Sequence, residues 1–247
     1  MRGVATGGEL SAEERVRIRR AHERLRIASK ELESLVATDP IKGRWEPEAA
    51  PIEIVAAARE ELGHAYAAIT ARQAEILGWE RERSALEVLD RGRLLSFSYE
   101  DLSLYHGPGS PGGVAHAFKV MEHAFALLKS DGPLERREIT VATAFGGPGA
   151  RDGFEMVLRA VSGERFVLDP ALARPERGTA RERFVFRIGH RERSVTLALR
   201  EGFVSDEFIA LARQERSPEE EAHLDVLKLE MASRVMSRPA AEVYDSA

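Results

Sequence analysis

The sequence predicts an α+β fold: a core of α-β-α-β-β-β order with a mixed sheet, preceded by an N-terminal antiparallel helical hairpin and followed by C-terminal helices. Three observations predict it. Apolar residues recur at helical spacing through most of residues 11–77. Apolar and charged residues alternate in two short runs, Phe184–Ile188 and Val195–Leu199. Two Gly/Pro loops, at 105–113 and 146–149, each open a helical pattern. At 247 residues and 43% apolar, the chain can hold one sizeable core and an extension. It divides into a flexible N-terminus at 1–10, a hairpin extension at 11–96 and an α+β domain at 97–247.

The first helix spans 11–37. Ile18, Ala21, Leu25, Ala28, Leu32 and Leu35 follow a 3-4-3-4-3 spacing that draws one narrow seam. Ser11 and Glu14 form a capping box at its start, and Thr38-Asp39-Pro40 ends it. Val55, Ala58, Leu62, Ala65, Ile69 and Ile76 repeat the spacing in a second helix, with Arg72 breaking it and Gly78 preceding a further helical stretch through Leu89. Such a hairpin suits packing on its own domain or docking of a protein partner or second copy.

From residue 98 the pattern changes. Ser98 with Asp101 caps a short helix that runs into Tyr105-His106-Gly107-Pro108-Gly109-Ser110-Pro111-Gly112-Gly113. The next helix should bury Val114, Phe118, Met121, Phe125 and Leu128. Glu138–Phe145 reads as a strand, and Gly146-Gly147-Pro148-Gly149 leads into a helix carrying Phe154, Val157, Leu158 and Val161. A short strand near Phe166–Leu168 follows, then a polar loop. Next comes a hairpin turning at Gly189-His190-Arg191-Glu192, with one wet face. Helices near 205–215 and 218–237 close the chain.

Composition excludes several classes. A net charge of −5 argues against a nucleic-acid binder, which needs a clustered cationic face. No apolar run reaches the length of a membrane span, and Met1–Gly8 lacks a signal peptide's apolar core, so a cytoplasmic location is expected. The absence of cysteine removes disulfides, thiolate ligands and thiol nucleophiles.

The order of elements and the motifs on them resemble the E-subunit family of formylmethanofuran dehydrogenase. That family's loop, Phe-His-Gly-His-x-Cys-Pro-Gly entering a helix, is matched by Tyr105-His106-Gly107-Pro108-Gly109-Ser110-Pro111-Gly112. Its Cys-Gly-x-Asp loop is matched by Gly149-Ala150-Arg151-Asp152, and its Pro-x-x-acid-aromatic tail by Pro239-Ala240-Ala241-Glu242-Val243-Tyr244. The likeness covers about residues 97–246. It implies the family's α+β scaffold and an accessory role beside a molybdenum or tungsten formyl- or formate-type oxidoreductase. The family's second loop histidine and its two cysteines are Pro108, Ser110 and Gly149 here. Proline offers no ligand atom and serine is a poor ligand for a soft metal, so no tightly bound transition metal is expected.

Candidate chemistry gathers on the two loops. His106 and Asp152 could form an oriented carboxylate–imidazole pair for acid/base work, or His106 could tie the loop while Asp152 caps its helix. Ser110 is a candidate nucleophile for acyl transfer, although Pro108-Gly109-Ser110-Pro111-Gly112 fails the nucleophile-elbow pattern at its first position. Gly109, Gly147, Gly149 and Arg151 are candidate ligand-binding positions, as an anion cradle with a cationic guard or as tight-turn glycines. A third reading is a histidine-based metal site from His106, His116 and His123. His116 and His123 lie about 10.5 Å apart along a helix axis, which suits a solvated face better than chelation. His22, His64 and His223 have no visible partner. The expectation is therefore a divergent, non-catalytic accessory or small-ligand-binding protein, with the acid/base enzyme and the metal-binding protein as alternatives.

Overall fold

The computed structural model describes residues 85–129 and 132–246, with four isolated helical positions, Ala12, Glu13, Val16 and Arg20. Apart from those four positions, the hairpin expected over 11–77, including Leu25 and Leu32 on its seam, and the partner surface assigned to it lie outside the described residues. From Leu86 onward the chain is α+β with mixed sheets. Among the described residues no helix is long and apolar enough to cross a membrane.

The helical stretch expected through Leu89 is instead a strand. β1 (Leu86–Asp90) pairs antiparallel with β2 (Arg93–Phe97) across a turn of Arg91 and Gly92, both at positive φ, 54° and 78°. Positive φ at both central residues gives the twist that a two-residue hairpin requires. Leu86 and Val88, on one face of β1, are buried in the main core. Extrapolating the upstream helical spacing hides this period-2 signal.

α1 (Tyr99–His106) starts at the capping box of Ser98 and Asp101. α2 (Pro111–Leu128) is the central helix of the domain. β3 (Leu134–Glu135), a two-residue strand that the expected α-β-α-β-β-β order lacks and that is too short to leave an alternation in the sequence, adds to β1 in parallel, giving a three-stranded sheet of order β2-β1-β3. β4 (Ile139–Thr143), α3 (Pro148–Leu158) and β5 (Phe166–Leu168) form a parallel crossover. β6 (Val185–His190) and β7 (Arg193–Leu199) make the expected hairpin. After α4 (Asp206–Ala212), α5 (Pro218–Met236) and α6 (Ala240–Val243), the chain ends in β8 (Tyr244–Ser246). The second sheet has order β5-β4-β6-β7-β8, antiparallel except between β4 and β5.

The five expected apolar residues of α2 are buried, and so is every residue from Gly112 to Met121. Over that stretch the helix is enclosed on all sides, and its last turn, at Ala126 and Leu127, is exposed. Phe118 meets Tyr99 of α1 edge-on, Gly113 and Ala117 meet α3, Gly112 meets Met231 of α5, and His116 faces β8. Phe118, Phe154, Phe186 and Tyr244 are fully buried, each worth about 1.5–3 kcal/mol of burial. α3 ends at Leu158, with Arg159 in the left-handed conformation, so Val161 lies beyond the helix expected to carry it.

Two arginines close the site helices at their C-terminal ends. Arg165 donates to the carbonyls of Leu158 and Arg159 at the end of α3, at 2.8 and 3.0 Å. Arg193 donates to Leu128 and Leu127 at the end of α2, at 3.0 and 3.1 Å. A guanidinium there satisfies free carbonyls and complements the negative end of the helix dipole.

Candidate functional site

The two Gly/Pro loops meet because their helices begin in contact. Both start with proline at the first turn, which suits the missing N–H and fixed φ of that residue. Small residues then let α2 and α3 close on each other. A Cβ on Gly149 would overlap the carbonyl oxygen of Ser110 and come within 2.9 Å of the Val114 nitrogen. One on Gly113 would sit 3.0 Å from the Ala150 nitrogen, and one on Gly153 would sit 2.8 Å from the Ala117 methyl. No side chain larger than hydrogen fits at these three crossing points without movement. Sequence reasoning misses Gly113 and Gly153, because a crossing point between two helices leaves no signature on either alone.

This crossing sets the position of Asp152. The N-cap of α3 is Gly147, so Asp152 lies in the second turn and does not cap the helix. Its carboxylate reaches α1 instead. His106 Nδ1 stands 2.7 Å from Asp152 Oδ2, and because a carboxylate only accepts, the imidazole donates its Nδ1–H. The His106 side chain is 8% exposed and that of Asp152 33%. The other ring nitrogen, Nε2, is buried and has no hydrogen-bond partner. The arrangement holds the imidazole in one tautomer and leaves a single unpaired polar atom under the loop.

The remaining candidate residues separate by their surroundings. Ser110 precedes α2 as its N-cap, but its hydroxyl bonds neither the helix backbone nor His106. Arg151 is exposed and makes no ion pair among the described residues, so it does not compete for Asp152. The open side of Gly147 is filled by the ring of Phe145, and that of Gly149 by Ser110. The chain's own atoms thus occupy the cradle that these two glycines would offer an anion. Gly109 differs: a Cβ there would meet nothing within 4 Å except His106 Nε2, at 3.9 Å.

His116 does not lie on a solvated face. It is fully buried, joined to the Tyr244 hydroxyl at 2.7 Å and packed against Phe184, with a centroid distance of 4.8 Å. Burial pushes its pKa down to about 3 and raises that of Tyr244 well above the usual value, so both are neutral. His116 is therefore turned away from the His106 loop and cannot serve a shared metal. Among the described residues no group of three or more His, Cys, Asp or Glu side chains is arranged to hold a metal ion.

A groove of about 390 Å³ lies elsewhere, at the far end of α2 between Leu86, Glu122, Phe125 and Leu134. It is separated from His106 by most of the helix, and no candidate residue lines it. The exposed Leu104 and Tyr105 flank the histidine loop, at 83% and 51% exposure. Compared with protein-family models, curated proteins and solved structures, the chain finds no match in any of the three.

Proposed function

We propose that this chain is a divergent, non-catalytic accessory protein, similar to the E-subunit family of formylmethanofuran dehydrogenase, that binds a small ligand and acts beside a molybdenum or tungsten formyl- or formate-type oxidoreductase. The observation that carries the ligand-binding part is the bonded pair of His106 and Asp152 with Nε2 left unpaired. A ring that is 8% exposed and fixed by a carboxylate is a directed recognition group. The accessory role rests on the sequence resemblance. It is supported by the order of elements from Pro111 to Leu199, α-β-β-α-β-β-β, which differs from the expected one by the two-residue β3 alone, and by the two motif loops lying against each other. Ser110, unbonded to His106, lacks the activation that an acyl-transfer nucleophile needs.

Affinity purification of the full chain from its native cells tests this reading. A large molybdenum or tungsten oxidoreductase polypeptide should co-purify in stoichiometric amount, and His106→Ala should leave that assembly intact. A chain that purifies without such a polypeptide overturns the accessory role. Ester or amide turnover abolished by His106→Ala would replace it with the acid/base enzyme, the reading favoured by the same oriented imidazole.

A further inference from the structure

The space over Gly109 points to the chemistry of the ligand. We infer that His106 Nε2, Gly109 and the start of α2 form a site for a small oxyanion, a carboxylate or a phosphate group, entering over Gly109. The inference rests on the ligand-binding reading above and names what would be bound.

Three independent features converge there. The first is the buried Nε2, which has no partner while Nδ1 is committed to Asp152. A buried polar atom without a partner costs about 1–3 kcal/mol, and a hydrogen bond to a ligand oxygen, made by protonated Nε2, removes that cost. The second is the electrostatics of the helix starts. The first intrahelical bond of α2 runs from Val114 N–H to Ser110 O, so the N–H groups of Gly112 and Gly113 precede the ladder. Neither α2 nor α3 has an acidic residue in its first turn or a side-chain cap. In contrast, α1, α4 and α5 each have a serine cap and acidic first turns. The start of α3 is covered by Phe145 and Ser110, but the start of α2 has no acidic residue or side-chain cap to offset its positive end, which favours a negative group near it.

The third feature is room. Gly109 is exposed, its φ is not in the left-handed region, and its Cβ position lies 3.9 Å from Nε2, so the buried nitrogen sits directly beneath a residue with no side chain to displace. Gly107, at φ 79°, has nothing within 4 Å of its Cβ position, so the loop is not packed from that side. The Asp152 carboxylate does not oppose the anion directly, because the imidazole lies between them. Binding is coupled to uptake of a proton from solvent at Nε2: the oxyanion accepts from Nε2–H while Asp152 accepts from Nδ1–H, and the doubly protonated ring bridges the two negative groups.

Histidine side-chain nitrogen NMR on the full chain tests this, with His106 assigned by its loss in His106→Ala. The probes are sodium acetate and inorganic phosphate at constant ionic strength, with sodium chloride as the control. One of the two should shift His106 Nε2 saturably. Acetate alone identifies a carboxylate site, and phosphate alone a phosphate site. Gly109→Val fills the approach without demanding a forbidden φ. It should weaken binding by about tenfold or more while the Nδ1–H resonance bonded to Asp152 persists. A response matched by chloride, no response to either probe, or full affinity in Gly109→Val overturns the site. Loss of the site with the co-purifying oxidoreductase still present would leave the accessory reading standing.

Discussion

His106 and His116 are each bonded through Nδ1 at 2.7 Å, and each keeps a buried Nε2 without a partner. Their surroundings differ in ways that separate a site from a core. His116 sits among Phe145, Phe184 and Tyr244, with a phenol as its partner and no exposure. His106 has a carboxylate partner that is one-third exposed, a glycine beside its free nitrogen and a proline–glycine loop above it. An orphan nitrogen alone does not mark a site. The ionisable partner and the glycine approach make the difference.

The largest break in this comparison lies on the core side. Tyr244 is fully buried and ties β8 both to β7 and, through His116, to α2. Tyr244→Ala should cost about 3–5 kcal/mol, the usual range for deleting a buried aromatic side chain. Urea unfolding measures it, and a loss below about 1 kcal/mol would show that the C-terminal strand is not docked in solution. Tyr244→Phe, which keeps the ring and deletes only the hydroxyl, should cost less.

A pH series sharpens the contrast. The folded pKa of His116 is depressed to about 3 by burial, against an ordinary value of 6.5. Between those values the unfolded chain holds a proton that the folded chain refuses. Stability therefore falls as pH drops through 6.5, with a limiting slope of about 1.4 kcal/mol per pH unit. From about pH 7 to about pH 5 His116 should contribute a loss of about 2 kcal/mol. Urea midpoints of wild type and His116→Gln across that range measure the difference. Parallel pH profiles would mean that His116 is solvated or already protonated in the fold.

The two histidines are unequally legible in the sequence. His106 stands out because a Gly/Pro loop surrounds it, and its partner Asp152 follows from the resemblance, which places both motif loops at helix starts. His116 is misread because a helix has a wet face only if something leaves it uncovered. α2 is enclosed by α1, α3, α5 and β8, and enclosure is a property of the neighbours. The β6–β7 hairpin is readable because alternation is written locally in Phe184, Phe186 and Ile188. The β1–β2 hairpin is written as plainly in Leu86, Val88 and the Arg91-Gly92 turn, but a longer helical pattern upstream masks it. The crossing glycines show the opposite limit. Gly149 reads as a loop residue, yet it serves as the contact point of two helices.

That crossing supplies the next test. Gly149→Ala puts a methyl against the Ser110 carbonyl, which can retreat only by moving the start of α2. Overpacking of this kind should cost about 1–3 kcal/mol. The change should also disturb the His106–Asp152 bond while leaving His116–Tyr244 intact, since the latter pair lies on another face of α2. Histidine NMR resolves the two, and an unchanged His106 Nδ1–H signal in Gly149→Ala would show that the crossing does not set the pair.

The smallest expected effect is the coupling between His106 and Asp152 themselves. A charge-assisted hydrogen bond in a fully buried setting contributes about 1.5–3 kcal/mol, but water screens a carboxylate that is one-third exposed. A double-mutant cycle of His106→Ala, Asp152→Ala and the double variant should therefore return a coupling of about 1 kcal/mol. Single-variant losses cannot give this number, because removing Asp152 leaves the His106 Nδ1–H unpaired as well as deleting the bond. A companion cycle on His116→Ala and Tyr244→Phe reports a bond with no access to water. If the site is built for binding, its pair should be the weaker of the two in the empty protein. The His106 cycle should then strengthen when acetate or phosphate saturates Nε2, because the ring protonated on binding is a stronger Nδ1–H donor to Asp152 than the neutral ring. A His106–Asp152 coupling indistinguishable from zero would mean that the bond does not form in solution, and one unchanged by the bound anion would mean that Nε2 is not where the anion sits.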